Sequence, residues 1–497
     1  MVKIMSYGLM RGKVAKIILL VLVLFILILT TSSQNVLAEE TRRVNASEIL
    51  VNISRGEPVE VTNRVIIGDL DVSEIRDNLT EIEIEGKERR IVESPIKIRH
   101  SIIQGDVNFN PIYFNNTVKF INVTFNGRAS FIYAVFNKQP DFQESTFKEE
   151  ADFWHATFNK GAFFERAKIK SASFNNASFN KSAFFDFTTF DGLTTFRNAI
   201  FVEEAKFYAS NFNDLTTFRN ATFNNLAFFQ LATFNGVVIF KNATFNGYAN
   251  FIRATFNKAE ADFEFAKFMQ TVNFYHTEFN SEAHFQNARF NDTTYFSLAK
   301  FKDRAYFTDA SFNDTVDFSE ADIFLTMKIN WSQLEGKLVY NGYFYQVLIR
   351  NFETLGQSED ANDAYYKYKV EKRKHMPIFG LRRPLEFIFL DLSCGYGVKP
   401  LRPIEWAGII IGLFSIFYWR IEDKENKKSK SDSSLKDRIL KFVFLSVSIF
   451  TTLGYWNKWK PAKNHETKFR IGAIIEALLG WIIMTLFVIS LTMTWIR

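Results

Sequence analysis

Several features on which enzymes and small secreted domains rely are scarce in this sequence of 497 residues. It has one cysteine, Cys394, so an intrachain disulfide framework is excluded. Its six histidines are dispersed and show no spacing typical of a metal site. The stretch Gly395-Tyr396-Gly397 lacks the strand, loop and helix context of a nucleotide site. Because no nucleophile–base pair is recognisable either, we expect no enzymatic activity and no cofactor.

The sequence also lacks a large excess of charge of either sign. The formal net charge is +6, and the sequence pI is about 9.0. An excess so small and so scattered does not indicate a nucleic-acid partner. Phenylalanine, in contrast, is abundant, with 57 residues. At this length more than one domain is expected.

The N-terminus is typical of an export signal. Four basic residues precede an apolar run over residues 17–30, and residues 36–38 offer a small-residue cleavage site. We predict a signal peptide over residues 1–38, and an uncleaved membrane anchor is the alternative. In either case the chain that follows would be exported.

Phenylalanine recurs at a short interval from about Ile98 to Phe318. The steps mostly alternate between five and six residues, with one step of seven from Phe256 to Phe263. Two residues before each Phe stands a small or modest side chain, often Ala, and the residue after Phe is very often Asn. This period fits neither an α-helix nor a flat strand.

The period does fit a coil made of short straight sides and corners. Phe and the small residue before it would point inward, and Asn would take the corner conformation. Four units per coil give roughly 21–22 residues a turn and about ten coils, with a length on the order of 50 Å. Burying each Phe contributes about 1.5–3 kcal/mol, so the Phe side chains are expected to hold the coils together.

The units ATFNGYANFIR and ATFNKAEADFEF resemble those of the pentapeptide-repeat family. The resemblance implies an all-β, right-handed quadrilateral β-helix over residues 98–325. Residues 54–73 are similar to the starting coil of that family, and the lost register around residues 75–95 indicates a loop insertion, both within a segment of residues 39–97. Some family members are acidic mimics of DNA. Since the charges of these repeats nearly balance, we expect no such role.

Residues 326–403 are predicted to be a helical connector. Tyr343 to His375 is typical of an α-helical hairpin, which would either dock a partner or cap the open end of the solenoid. Its two apolar stripes are Val347, Leu348, Phe352 and Leu355, then Ala361, Ala364, Tyr365 and Tyr368. A basic stretch that would favour anionic head groups beside a membrane contains Lys369, Lys372, Arg373, Lys374, Arg382 and Arg383.

Residues 404–497 have the composition of a membrane domain. The segments Ile404 to Trp419 and Ile471 to Ile496 are apolar and bounded by arginines, as expected of two spans. Between them, Ile439 to Thr451 is apolar but too short to span. A short helix that enters the membrane and returns fits this stretch, provided that protein buries the return.

This order of span, short helix, TTLGY and span resembles the two-transmembrane, pore-loop domain of potassium channels. The motif runs from Ser446 to Asn457, and Asp391 to Pro403 is similar to the lead-in found where pentapeptide repeats and this pore domain share a chain. The resemblance implies that backbone carbonyls of four copies surround a dehydrated potassium or sodium ion. The ion-filter candidates are Thr451, Thr452, Leu453, Gly454, Tyr455, Trp456 and Asn457.

The motif departs from the family pattern at its outer end. Trp456 stands where the family has a second glycine that needs a positive φ, and a non-glycine residue costs about 1–2 kcal/mol there in each copy. Asn457 replaces the family's carboxylate. On the last helix, Glu476 is an ionisable group inside a span and hence a functional candidate, with pairing to Lys463 or Lys468 as the alternative. Gly480 stands where such channels have a flexible inner-helix glycine.

The sequence therefore predicts a cell-membrane protein with a repeat domain on a homotetrameric pore for monovalent cations. The alternative is a membrane-anchored scaffold with a non-conducting pore domain and an unknown protein partner for the repeats. The export signal places the repeats outside the cytoplasm, whereas pore loops of this family enter the membrane from outside. These two topologies conflict, and both stay open at this point.

Overall fold

A computed structural model describes residues 42–84, 87–258, 260–377, 380–421, 435–451 and 465–496. The predicted signal peptide, residues 1–38, lies outside these ranges. The chain divides into two compact units, with the boundary between Asp317 and Phe318. We call them the solenoid unit and the helical unit.

The solenoid unit contains four columns of parallel strands, most of them two residues long. Along the chain, each regular coil passes through the first, second, third and fourth column in turn. The first column contains Arg43–Asn45, Val65–Ile67, Ile102–Ile103, Thr124–Phe125, Thr146–Asp152, Lys168–Ser173, Thr189–Phe190, Asn211–Phe212, Thr233–Phe234, Thr255–Phe256, Glu278–Phe279 and Lys300–Phe301. The second contains Leu70–Asp71, Val107–Asn108, Ala129–Ser130, Thr194–Thr195, Thr216–Thr217, Val238–Ile239, Ala261–Asp262, Ala283–His284 and Ala305–Tyr306, and it shares Thr146–Asp152 and Lys168–Ser173 with the first.

The other two columns complete each coil. The third contains Lys87–Val92, Ile112–Phe114, Val135–Phe136, Thr157–Phe158, Ser178–Phe179, Ile200–Phe201, Thr222–Phe223, Thr244–Phe245, Lys267–Phe268, Arg289–Phe290 and Ser311–Phe312. The fourth contains Val59–Thr62, Ile96–Arg99, Val118–Ile121, Ala162–Phe163, Ala183–Phe184, Ala205–Lys206, Ala227–Phe228, Ala249–Asn250, Val272–Asn273, Thr294–Tyr295 and Val316–Asp317.

The strands repeat in register from coil to coil. Phe190, for example, lies opposite Phe212, 22 residues later. The β-solenoid has about 13 turns, more than the ten expected from the phenylalanine period. The difference arises because the parallel pairing already starts at Arg43, well before the first Phe unit.

Phenylalanine and alanine fill the interior, as predicted. Phe196 and Phe218 are both fully buried, and their rings stack with centroids 4.8 Å apart and planes 3° apart. Ala156, two residues before Phe158, is also fully buried. Because the same stack continues through successive coils, each ring packs against the coil before it and the coil after it.

Asn after Phe lies at a corner, as predicted: Asn224 is a bend residue between Thr222–Phe223 and Ala227–Phe228. The left-handed conformation, however, is found at the other corners. Positive φ values recur about every eleventh residue, at side chains as different as Asn220, Phe187 and Leu231. The backbone N–H of Phe187 donates to the carbonyl oxygen of Tyr208 on the next coil, over 2.8 Å, so the backbone ladder holds the corner. The Asn residues after Phe also form a side-chain ladder, in which the Asn246 amide donates to Asn224 Oδ1 over 2.9 Å.

The first coils contain helix α1, Ala46–Ser54, and an insertion where the sequence indicates one. Val59–Thr62 pairs with Ile96–Arg99, which is 37 residues later instead of 22. Between them lie a 3₁₀ helix, Val72–Asn78, and a hairpin in which Glu81–Ile84 pairs antiparallel with Lys87–Val92.

The helical unit begins with two short strands and continues with helices. The strands are Asp322–Ile323 and Met327–Lys328. The α-helices are α2 (Trp331–Leu334), α3 (Gly342–Thr354), α4 (Ser358–Lys374), α5 (Arg382–Glu386), α6 (Leu401–Arg420), α7 (Leu435–Phe450) and α8 (Glu466–Ile496). Between α5 and α6 lie a π-helix, Phe387–Leu392, and a 3₁₀ turn, Gly395–Gly397.

The predicted helical hairpin corresponds to α3 and α4, and the face of α3 is used inside its own unit. Phe344 stacks on Phe318 with centroids 4.8 Å apart, which is the spacing between coils of the solenoid. The Asn351 side chain bonds both the N–H and the carbonyl oxygen of Met327. These contacts bury one face of α3 within the helical unit, and the choice between capping the solenoid and docking a partner stays a prediction.

Candidate functional site

Three helices, α6, α7 and α8, form the region in which the sequence places its site. By length and composition, Leu401–Arg420 and Glu466–Thr494 could cross a membrane. Helix α7 has 16 residues, which is about 24 Å at 1.5 Å per residue and shorter than a hydrocarbon core of about 30 Å. The three helices share one buried cluster, formed by Tyr418, Ile421, Phe442, Leu445, Ile449, Phe469 and Ala473.

Thr451 is the one filter candidate that the structure describes. It follows the last residue of α7, and its hydroxyl donates to the carbonyl oxygen of Val447 over 2.7 Å. The candidates Thr452, Leu453, Gly454, Tyr455, Trp456 and Asn457 lie outside the described residues. The carboxyl end of a helix carries about half a negative charge, so the end of α7 favours a cation in the segment that follows.

Glu476, in the middle of α8, is completely buried and bonded to both neighbouring helices. Tyr418 of α6 donates its hydroxyl to Glu476 Oε2 over 2.6 Å, and Ser446 of α7 donates to Oε1. Lys463 lies outside the described residues, and within those residues Glu476 and Lys468 form no ion pair. Sequence reasoning missed the bonds of Tyr418 and Ser446 to Glu476, because the two residues are 58 and 30 positions away along the chain.

Gly480 lies one helical turn after Glu476, where α8 touches the end of α7. A Cβ added at Gly480 would overlap the carbonyl oxygen of Phe450 and lie 2.9 Å from its carbonyl carbon. Real Cβ atoms do not approach backbone atoms that closely, so only glycine allows this helix contact. The structure thus gives Gly480 a packing role, whereas the resemblance implied a role in flexibility.

A second polar cluster lies just before α6, and we call it the juxtamembrane cluster. It consists of Tyr366, Arg373, Asp391, Tyr396 and Arg402. The Asp391 carboxylate is buried and lies 2.5 Å from Arg373 Nη1 and 3.0 Å from Arg402 Nη1. Tyr366 donates to the same carboxylate over 2.9 Å, and Arg373 also donates to the Tyr396 hydroxyl over 3.0 Å.

This cluster joins α4 to the start of α6 and to the far end of α8. Arg373 comes from α4 and Arg402 from the first turn of α6. The turn that contains Tyr396 also approaches α8, since a Cβ added at Gly397 would lie 2.6 Å from Met493 Sδ. The cluster therefore links α4 to both candidate spans at one end.

The basic stretch predicted to face lipid head groups is partly used inside the protein. The Arg373 side chain is only 11% exposed because it pairs with Asp391. Lys374 pairs with Glu371 over 2.8 Å, and Lys369 lies over the ring of Tyr365. The prediction is thus wrong for Arg373, whose charge serves the juxtamembrane cluster.

The charge balance of the juxtamembrane cluster makes its stability depend on pH. Burial by itself would raise the pKa of Asp391, but hydrogen bonds from Arg373, Tyr366 and Arg402 outweigh it and hold the pKa below the usual value. A lowered folded-state pKa stabilises the fold at pH values above the ordinary carboxyl pKa of about 4. This stabilisation is lost as the pH falls through the folded-state value.

Replacement of Asp391 by Asn is expected to destabilise the helical unit by about 3 kcal/mol, because two arginines lose the charge that neutralises them in a buried place. Thermal unfolding of the detergent-solubilised chain at neutral pH measures this loss. Asp363→Asn is the matched control, since its partner Lys399 is 38% exposed and such pairs contribute less than about 1 kcal/mol. Equal losses in both variants would contradict the role given to Asp391.

Comparison with known proteins bears on the repeats alone. A family described as pentapeptide repeats (9 copies) matches residues 120–168, 218–267 and 274–322. No curated protein and no solved structure matches the chain, and no channel family is matched. The chain therefore contains pentapeptide repeats that form a β-solenoid, followed by helices of which two could span a membrane.

Proposed function

We propose that the C-terminal helices form a pore-loop domain that passes monovalent cations across the cell membrane, in a chain whose repeats form a right-handed quadrilateral β-helix. The observation that carries the proposal is the position of α7. It is a helix too short to span and is packed between two candidate spans. It ends at Phe450, and Thr451 then leads directly into Thr452, Leu453, Gly454 and Tyr455.

The contacts of α7 are those that a fixed pore helix requires. The Ser446 hydroxyl bonds the buried Glu476, and Gly480 lets α8 touch the backbone of Phe450. The end of α7 is thus held by α8 at two points one turn apart. A fixed helix end can hold its carbonyl dipoles toward a cation, and a rigid support is what ordered filter carbonyls need.

Four chains would be needed, because each chain supplies one filter segment and a dehydrated ion is surrounded by several. We therefore propose a homotetramer. Trp456 and Asn457 differ from the potassium-channel pattern at the outer end, so we expect weaker selectivity between potassium and sodium than that pattern gives. The buried Glu476 is assigned to positioning α7, since its two oxygens accept bonds from Tyr418 and Ser446.

The test is ion flux through the purified, full-length protein in liposomes. We expect potassium flux in the unmodified chain and a flux lower by about tenfold or more in Thr452→Ala, the factor that corresponds to a loss of about 1.4 kcal/mol. Thr492→Ala is the matched control, because the Thr492 hydroxyl bonds the carbonyl oxygen of Val488 in its own helix. Its flux should equal that of the unmodified chain.

The outcomes separate the pore from its alternative. Equal potassium and sodium flux would support the pore and would show that it is not selective, which we would attribute to Trp456 and Asn457 at the outer end of the filter motif. Absence of flux both in the unmodified chain and in Trp456→Gly would overturn the proposal. It would favour a membrane-anchored scaffold outside the cytoplasm whose repeats bind a protein partner, the function that a bulky Trp456 in place of glycine supports.

A further inference from the structure

Three side chains on neighbouring coils of the solenoid bring metal-ligating atoms together. One oxygen of Glu260, one of Glu282 and a ring nitrogen of His284 all lie within 4.8 Å of one another. Glu282 and His284 flank Ala283, whose strand pairs in register with Ala261–Asp262, directly after Glu260. The three residues therefore share one outer face of the second strand column.

The Glu282 carboxylate is oriented by two other side chains. Its Oε1 accepts a hydrogen bond from the Tyr306 hydroxyl over 3.2 Å and lies 3.5 Å from Arg304 Nη1. Its Oε2 is left facing the ring of His284, with 3.4 Å between Oε2 and Nε2. Two partners thus hold one oxygen, and the other oxygen is directed toward the imidazole.

The His284 ring is fixed as well. It stacks on Tyr306, with centroids 4.9 Å apart and planes 12° apart, and its Nδ1 lies 3.2 Å from the Gln286 side-chain nitrogen. In this arrangement the buried His284 Nε2 makes no hydrogen bond and has only its 3.4 Å contact with Glu282 Oε2, and the buried Gln286 Oε1 makes no hydrogen bond among the described residues. Buried polar atoms without a partner are rare and call for an explanation.

A turned glutamine amide and a bound cation together account for the two atoms. The oxygen and nitrogen of a glutamine amide have nearly the same shape, so the Gln286 amide can be turned by 180°. Its oxygen then accepts a hydrogen bond from His284 Nδ1–H. Nε2 then carries a lone pair 3.4 Å from Glu282 Oε2, and one oxygen of Glu260 lies within 4.8 Å of the ligand atoms of the other two residues. A hydrogen bond to the other ring nitrogen is the usual way in which a neighbouring residue fixes the tautomer of a metal-binding histidine.

We propose that Glu260, Glu282 and His284 bind a divalent transition-metal ion such as Zn²⁺. One imidazole with two carboxylates suits zinc, nickel or copper better than calcium or magnesium, which prefer oxygen ligands. Three protein ligands leave room for water or a further ligand at the metal. The site belongs to the solenoid unit and does not depend on the proposed pore.

The seven-residue step in the phenylalanine period lies next to this site. Between Phe256 and Phe263 the chain has one residue more than in the regular coils, just before Glu260, and Val238 accordingly pairs with Ala261, 23 residues later. Irregularities of this kind in a sheet often direct a side chain toward a functional position. The spacing of histidines along the chain did not indicate this metal site, because its ligands come together only when successive coils stack.

The experiment is a calorimetric titration of the tag-free, full-length protein with Zn²⁺ after removal of bound metals by a chelator. We expect one site per chain that His284→Gln and Glu260→Gln each weaken by at least about tenfold. His276→Gln, which changes a half-buried histidine on a neighbouring corner, is the matched control and should leave the affinity unchanged. Because Glu260 is exposed, Glu260→Gln tests the site without disturbing the core.

Substitution of Co²⁺ for Zn²⁺ adds a second readout, since bound Co²⁺ absorbs visible light in a way that reports its ligands. We expect a visible band that His284→Gln removes and His276→Gln retains. Zinc affinity that stays the same in His284→Gln, or absence of Zn²⁺ binding at micromolar concentrations, would overturn the proposal. Either result would instead assign His284 to an ion pair with Glu282.

Discussion

Replacement of Gly480 by valine is expected to separate α7 from α8 and to destabilise the helical unit by about 3 kcal/mol, the upper end of the usual cost of overpacking. The large effect is expected because the added side chain would meet the backbone of Phe450, which cannot move aside as a flexible side chain can. Thermal unfolding of the detergent-solubilised protein measures the loss. Potassium flux in liposomes should disappear in the same variant if α7 supports a filter.

Gly412→Val on α6 is the matched control for Gly480→Val. It is the same substitution in a helix of the same unit, but nothing lies within 4 Å of a Cβ added at Gly412. We expect a change below about 0.5 kcal/mol there, as for most surface positions. A similar loss in both variants would show that the contact between Gly480 and Phe450 does not limit helix packing.

Truncation of Phe229 to alanine in the solenoid should cost about 3–5 kcal/mol, the range for removing a buried Phe side chain. Phe229 is fully buried and stacks on Phe207 and Phe251, with centroids 4.9 and 5.0 Å away. The loss is local, because each coil contacts its neighbours and little else. Amide hydrogen exchange in residues 207–251 of the intact chain should therefore accelerate by roughly a hundredfold or more, about 1.4 kcal/mol being equivalent to tenfold.

Phe187→Ala provides the comparison for Phe229→Ala. The same atoms are removed, but Phe187 is 50% exposed at a corner and stacks in no column. Its φ is positive, and alanine is no more strained there than phenylalanine. We expect exchange in the surrounding coils to change less than about fivefold, and an equal effect of both truncations would argue against the stacked rings as the main source of stability.

The solenoid could be predicted from sequence because its defining contacts repeat. Burial of Phe and Ala follows from their spacing alone, and neighbouring coils reinforce the same register. The corner residues with positive φ could not be predicted in this way. Phe187 and Leu231 carry a positive φ because the next coil accepts their backbone hydrogen bonds, and no local preference of these side chains indicates such a conformation.

In the helical unit the positions of the helices could be predicted, but the contacts between them could not. Hydrophobicity located α6, α7 and α8 to within a few residues, and the position of Glu476 within a span marked it as a candidate. Its partners could not be predicted, because Tyr418 and Ser446 are ordinary residues on other helices and carry no local signal. The juxtamembrane cluster was missed for the same reason. In the sequence Arg373 belongs to a basic stretch, and only the structure shows that it lies beside Asp391.

The proposed metal site has features that the sequence shows and contacts that the sequence does not show. The seven-residue step can be seen in the sequence, but it does not indicate a metal site. The histidines can be seen as well, but their positions along the chain do not show which residues lie beside them. Only the stacking of coils brings Glu260 beside Glu282 and His284. In a solenoid, ligand spacing therefore has to be searched across the coil repeat as well as along the chain.

The two-residue strands have a consequence for how this chain can change over evolutionary time. In Ala227–Phe228 the first side chain is fully buried and the second faces outward, and the same division recurs along the column. Substitutions at the outward positions usually change stability by less than about 0.5 kcal/mol. The inner residues therefore have to stay the same, whereas the outer residues can change. Selection can build a new recognition site on the outer positions one substitution at a time while the fold stays the same.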